Sequence, residues 1–287
     1  MIFRIISGSE VVVIIMTLFK PSELIKLSFL INTANCMRQD RVRHFPTLAK
    51  TGLILDKGLV YMDKMNHVRN KLQYVSDLHI EKGYQRRIYA KRPYLLLGGD
   101  IGYVKEPGYK NFLRDVSYSF DKVFLLSGNH EYDGYSVGDF HKVDEQIKNI
   151  CSMSGNIFYL QKDIHKLCDD YNIYIAGCTL WSTLPRSRLG IHYDHVEWLN
   201  RTLVENEDKT FVVATHHAPS FKCLNASFHS YVPNYFATEQ IELIKMKNML
   251  CWIYGHTHIN KDIILETKHI LSNQYGSFQE PLYGYKE

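Results

Sequence analysis

From residue 72 onward the chain alternates short apolar runs with stretches in which apolar residues recur every three or four positions. Leu72–Val75, Tyr94–Leu97, Lys122–Leu126, Ile173–Ala176, Phe211–Ala214 and Cys251–Tyr254 each read as a buried strand. Between them, Phe140, Val143, Ile147 and Ile150 fall on one helical face and Val196, Leu199 and Leu203 on another; Ile241, Ile244 and Asn248 follow the same spacing less cleanly. Strands alternating with helices predict an α/β domain. Before residue 70 the strand and helix signals are mixed and weak. The expected organisation is therefore a basic extension over 1–70 and a working domain over 71–287, with no internal repeat or low-complexity tract in either.

The extension holds one long apolar run, Val11–Phe19, shorter than the roughly 20 residues a membrane span needs. With Arg4 ahead of it the run has the look of a signal-peptide core. Glu10 abuts it, however, and no small-residue cleavage pattern follows, so a buried strand or helix is expected instead, and no membrane span. Met62 and Met65 stand just before the boundary, where translation of the working domain could begin, leaving residues 1–64 as an appendage.

Composition narrows the class. Of 287 residues, 45% are hydrophobic and 22% charged, which excludes a disordered or fibrous chain and leaves ample material for a core. The net charge of +4 is uneven: residues 1–71 carry +6 and the remainder −2. A near-neutral body is poorly suited to tracking nucleic acid, which needs many phosphate-neutralising cations. The six cysteines are scattered without a C-x-x-C pair, which argues against a zinc ribbon or a disulfide scaffold and for a reducing, cytoplasmic setting.

The candidate chemistry lies where the strands stop. Five of the six run directly into residues that bind metals: Ser76-Asp77-Leu78-His79, Gly98-Gly99-Asp100, Ser127-Gly128-Asn129-His130-Glu131, Thr215-His216-His217 and Gly255-His256-Thr257-His258. Ligands of open α/β sheets bind at the carboxyl ends of strands, so segments far apart in sequence can converge there. Singly these patterns are weak. D-x-H recurs as Asp139/His141, within a helical stretch, and as Asp163/His165, off a strand end; both read as solvated surface. All five in order at strand ends exceed what composition explains. Two divalent cations about 3.5–4 Å apart need an anionic ligand between them. His, Asp and Asn together suit Mn, Fe, Zn or Ni better than Ca or Mg.

Asp77-x-His79, Gly99-Asp100, Gly128-Asn129-His130-Glu131, His216 and Gly255-His256-x-His258, in this order over residues 72–272, resemble the calcineurin-like metallophosphoesterase superfamily. The resemblance implies a four-layer α-β-β-α sandwich of two mixed sheets, with a two-metal site at the C-terminal ends of the strands. It implies one metal on Asp77, His79, Asp100 and His258, and a second on Asp100, Asn129, His216 and His256, with Asp100 as the bridge and manganese the leading ion. It gives His130 the catalytic task of protonating the leaving oxygen after a bridging hydroxide attacks phosphorus, a task suited to an imidazole near neutral pH. Many members carry a further Asp three residues after the bridging Asp, where it orients this histidine; here that position is Tyr103. Glu131 is expected to orient its own loop.

The expected activity is hydrolysis of a phosphate mono- or diester of a small or nucleotide-like molecule. A nuclease of the same superfamily is the alternative, and a non-catalytic scaffold is disfavoured because no ligand position is lost. Asn129, His217 and Arg186 are the expected substrate contacts. The segment from Thr179 to Phe236, rich in polar and aromatic residues (Trp181, Arg188, His192, His195, His229, Tyr231 and Tyr235), is a candidate roof for the site.

Overall fold

Successive residues of a strand point to opposite faces of a sheet, and here both faces are apolar, so each sheet must be covered on both sides. The computed structural model describes residues 2–7, 10–15, 46–83, 86–225 and 232–286, with side chains from residue 58 onward. The chain divides into two compact units, Met1–Gly58 and Leu59–Glu287.

In the first unit β1 (Ile2–Ser7) and β2 (Glu10–Ile15) pair antiparallel, Ile2 opposite Ile15. Most of the apolar run expected as a strand or helix is therefore strand; its residues 16–19 lie outside those described. Helix α1 (Pro46–Lys71) follows, and its last turns belong to the second unit.

The second unit holds two sheets. β3 (Leu72–Val75), β4 (Tyr94–Gly98), β5 (Lys122–Leu126) and β6 (Ile157–Tyr159) form a four-stranded sheet in that order, parallel throughout. The remaining strands are β7 (Asp163–Cys168), β8 (Ile173–Cys178), β9 (Thr210–Thr215), β10 (Met249–Tyr254), β11 (Asp262–Leu265) and β12 (Lys268–Ser272). They form a six-stranded mixed sheet ordered β11-β12-β10-β9-β8-β7, in which only the outermost pairs are antiparallel.

Strand alternation sets the layers. Leu96, Phe124 and Leu126 of the smaller sheet meet Ile175, Val212, Ala214 and Ile253 of the larger in the central core. On the outer face of the smaller sheet, Leu95, Leu97, Val123 and Leu125 pack against Tyr109, Leu113 and Val116 of α2 (Pro107–Ser117) and Val143, Ile147 and Cys151 of α3 (Phe140–Cys151). On the outer face of the larger sheet, Phe211, Val213 and Trp252 are covered by Leu199 and Leu203 of α4 (Leu189–Glu205) and by the one-turn helix α5 (Ile241–Ile244). The result is an α-β-β-α sandwich. Met65 and Val68 of α1, ahead of the boundary expected at residue 70, lie in the central core.

All six expected strands are present, most extended by one or two residues. β1, α1, β6, β7, β11, β12 and α2 were not read from the sequence. β7 and β11 are edge strands with half-polar patterns. Among the described residues, no helix is long and apolar enough to cross a membrane.

Candidate metal centre

Asp77 and His79 follow β3, Asp100 follows β4, Asn129 and His130 follow β5, His216 and His217 follow β9, and His256 and His258 follow β10. Parallel pairing carries the ends of β3, β4 and β5 to one edge of their sheet, and the ends of β9 and β10 to one edge of the other. A bridge between Ser76 and Gln274 joins the two edges.

The loops are bent hard to bring the side chains in. Asp77, His79, Asp100, His256 and His258 all have left-handed backbones, with φ of 57°, 47°, 52°, 68° and 52°. Such conformations cost about 1–3 kcal/mol each in a non-glycine residue and persist only where the surroundings hold them. Here the loops hold one another: Asp77 N–H donates to Gly99 O at 3.0 Å, His79 N–H to Asp100 O at 3.1 Å and Gly255 N–H to His216 O at 2.9 Å. Gly99 sits at φ 88°, and a Cβ there would fall 2.6 Å from both the Gly128 nitrogen and His216 Nδ1.

The donor atoms gather in three overlapping groups, each within 4.8 Å: Asp77, His79 and His258; Asp100, His216 and His256; and His79, Asp100 and His130. Asp100 is the hub. Its Oδ1 lies 3.3 Å from His216 Nε2, and its Oδ2 lies 4.0 Å from His79 Nε2 and 3.9 Å from His130 Nε2. Asn129 Oδ1 stands 3.3 Å from His216 Nε2, and His258 Nε2 lies 3.4 Å from Asp77 Oδ1 and 3.2 Å from His79 Nε2. These spacings suit the edge of a coordination shell with bonds of roughly 2.0–2.1 Å.

Outer contacts fix which nitrogen faces inward. His79 Nδ1 donates to Glu81 Oε1 at 3.0 Å, His216 Nδ1 to Gly98 O at 2.9 Å and His256 Nε2 to Tyr235 O at 3.2 Å. In the neutral rings this leaves a lone pair on Nε2 of His79 and His216 and on Nδ1 of His256, the state a metal ligand requires. Asp77 accepts the His256 N–H on both oxygens at 3.1 Å, and Asp100 Oδ1 accepts the His130 N–H at 2.8 Å.

The field is set by buried carboxylates and the histidines gathered on them. Burial pushes the Asp100 carboxyl up, but His216, His130 and His79 more than offset this and hold it well below the usual range. Burial lowers His216, yet Asp100 and Asp77 carry it up to about 9. His130 likewise reaches about 9 through Glu81, Asp100 and Asp133 despite burial. His256 goes the other way: burial, then His216, bring it down to about 3. Such a donor set, carboxylates at the hub and inward-facing imidazole nitrogens around it, fits divalent cations, which would take the place of the proton that the carboxylates hold on His216.

Beside the cluster opens a cavity of about 490 Å³, lined in part by Asn129, Leu184, Arg188, His217, Tyr235 and His256. His217 is 2% exposed, and neither ring nitrogen has a partner. Arg188 lies with its guanidinium 4.5 Å from the centre of the Trp181 ring. Arg186 does not line this cavity and is exposed; it is Arg188, two residues on, that does. His192 and His195 face inward from α4 and bind the backbone of Leu180 and Trp181 instead. His229 and Tyr231 lie outside the described residues. Asp163 and His165 pair with each other on β7, and His141 is exposed on α3, so neither of these D-x-H copies enters the site. The sequence reading missed Glu81; the signal was an acid two residues beyond a D-x-H pair.

Residues 72–260 match the model of the calcineurin-like phosphoesterase family. The chain is also similar to uncharacterized protein L509 of Acanthamoeba polyphaga mimivirus, with 29% identity over 263 residues, covering 73% of this chain and 92% of that protein. Among solved structures it is similar to the phosphopantetheinyl hydrolase PptH of Mycobacterium tuberculosis, with a TM-score of 0.56 and 15% identity over 72% of this chain and 89% of that one, a likeness of fold.

Proposed function

The chain belongs to the calcineurin-like phosphoesterase family, and from that premise we propose that it hydrolyses a phosphate mono- or diester of a small molecule at a two-cation centre built around Asp100. One observation carries the reading: side chains from five separate strand ends bring their donor atoms together on Asp100 and its neighbours, at the cost of five left-handed residues. Asp77, His79, Asp100 and His258 would hold one divalent cation, and Asp100, Asn129, His216 and His256 the other, manganese being the first ion to try and Fe, Zn and Ni the others. Bound there, the cations would supply Lewis acidity to the phosphoryl oxygens and lower the pKa of a water toward about 7.

The chain's own residues do the rest. His130 is partly open to solvent at 24% while its ring nitrogen stays 3.9 Å from Asp100, so it can meet a leaving oxygen and hand it a proton. His217 and Arg188 line the cavity beside Asn129, where an unpartnered imidazole and a guanidinium can bind phosphate oxygens. A cavity of about 490 Å³ suits a small ester group. The five described cysteines are unpaired, in keeping with the cytoplasmic location we propose.

The test is a Mn²⁺-supplemented screen of the full chain. It compares p-nitrophenyl phosphate, bis-p-nitrophenyl phosphate, cyclic nucleotides and single-stranded DNA, with metal analysis on the same sample. Hydrolysis of a small ester, abolished by EDTA, is expected. No hydrolysis, together with less than one metal ion per chain, would sink the proposal; preference for DNA would move it to a nuclease.

A further inference from the structure

Resting on the reading of His130 as proton donor, we infer that Glu81 is the residue that aims it. Where Tyr103 stands, the resemblance leads one to expect an acid. In this structure Tyr103 offers His130 a flat face, with ring centroids 6.0 Å apart and planes 11° from parallel, and not an acceptor. Glu81 reaches the ring from a different strand end. The loop after β3 is tied to the loop after β4 by His79 N–H to Asp100 O and Ile80 N–H to Ile101 O at 2.9 Å, and a short 3-10 turn over Ile80–Lys82 folds Glu81 back beneath the cluster.

There its side chain is 2% exposed, and its Oε1 faces two rings at once: it accepts a hydrogen bond from His79 Nδ1 at 3.0 Å, and it lies 3.3 Å from His130 Nδ1, within ion-pair reach though off the line of a hydrogen bond. The two rings meet edge to face, 4.5 Å between centroids. Their Nε2 atoms then project to almost equal distances from Asp100 Oδ2, 4.0 and 3.9 Å. One carboxylate thus sets both a candidate metal ligand and the candidate proton donor against the same hub oxygen. Asp133 competes for His130 Nδ1 from 3.6 Å, but its side chain is 44% exposed and water weakens its hold.

Two measurements on the full chain test this. Ring ¹⁵N spectra of His130, at one pH with and without Zn²⁺, should show a proton fixed on Nδ1 in the wild type and in Asp133→Asn, and lose that signature in Glu81→Ala. An unchanged His130 spectrum in Glu81→Ala, or a change in Asp133→Asn instead, overturns the assignment whether or not the chain turns over any ester. The second measurement is kinetic. Glu81→Ala should cut kcat about 10–100-fold, more for phenyl phosphate than for p-nitrophenyl phosphate, with KM within about threefold. Glu81→Gln should restore part of the loss. At saturating Mn²⁺, which offsets the lost contact to His79, Glu81→Ala added to His130→Ala should cost no further turnover. If the double variant falls well below His130→Ala, and metal content falls with it, Glu81 acts through His79 alone and the proposal fails. A wild type that hydrolyses nothing would sink the hydrolase reading and leave the spectra to decide this one.

Discussion

The carboxylate of Glu131 accepts the backbone N–H of Asp100 at 3.0 Å and so fixes the hub of the cluster by its main chain. The same carboxylate takes the N–H of Ile101 at 2.8 Å and of Gly128 at 2.7 Å, joining the loops after β4 and β5 beneath the site. Burial and the nearby Asp100 push Glu131 up to about 7, while His216 and then its backbone donors pull it back. The loop-orienting task expected for Glu131 thus has a concrete form.

Glu131→Gln turns one of these acceptor oxygens into an NH2 that faces N–H groups. The variant should unfold at lower denaturant, by about 1–3 kcal/mol for a buried group left unsatisfied, and bind Mn²⁺ some 10–100-fold more weakly, as losses of outer contacts do. Equilibrium unfolding and metal titration check the two together; wild-type values in both would show that the three bonds hold nothing in place.

What the sequence could reveal here follows from distance along the chain. Asp77, Asp100 and His256 were legible because each closes an apolar run, so one local pattern states both the strand and its tip. Glu81 and Arg188 were not, because their parts depend on turns. Glu81 is carried under the site by a 3-10 turn, and Arg188 rather than Arg186 faces the cavity because a single turn over Arg186–Arg188 separates them. The helix α2 was readable in principle, since Tyr109, Leu113 and Val116 fall on one face behind Pro107. The edge strands β7 and β11 were not, because a strand with one neighbour keeps half its positions polar.

Gly128 gives a sharper test of the packing. A Cβ there would run into Asp100 Oδ1 and come within 2.6 Å of both the Asp100 nitrogen and His216 Cε1. Backbone and a locked ring cannot yield cheaply, so Gly128→Ala should cost about 1–3 kcal/mol and abolish metal binding. Gly155→Ala is the control, since nothing lies within 4 Å of its Cβ. Equal metal content in the two variants would contradict the crowding described here.

Stability should depend on acid through α4. His195 is 3% exposed, and its Nδ1 accepts the Leu180 N–H at 3.0 Å, so the ring must stay neutral; burial above all holds it down at about 3 against an ordinary 6.5. The unfolded chain takes up the proton near 6.5 while the folded one waits until about 3. Stability from this group is therefore complete above 6.5 and drains away as pH falls toward 3, on the order of 3–5 kcal/mol in all at about 1.4 kcal/mol per unit. His195→Asn keeps an acceptor without the titration. It should start less stable at pH 7 yet decline less between pH 6.5 and 4; parallel unfolding profiles for the two proteins would refute the assignment.

His130 and Asp100 should separate catalysis from assembly. They touch, through the His130 N–H on Asp100 Oδ1 at 2.8 Å, yet the contact is to the backbone, so replacing the imidazole leaves it in place. His130→Ala should keep its metal content and lose about 10²–10⁴ in turnover, the range for a proton-transfer group. Asp100→Asn removes the charge around which His216, His79 and His130 are gathered, and an amide cannot balance two cations. Its affinity for Mn²⁺ should fall by more than roughly 100-fold, beyond what outer contacts account for, with activity lost in step. Metal analysis beside turnover numbers distinguishes the two. An Asp100→Asn protein that still binds two ions would remove the bridge from the proposed centre, and a fully active His130→Ala would hand proton delivery to another group.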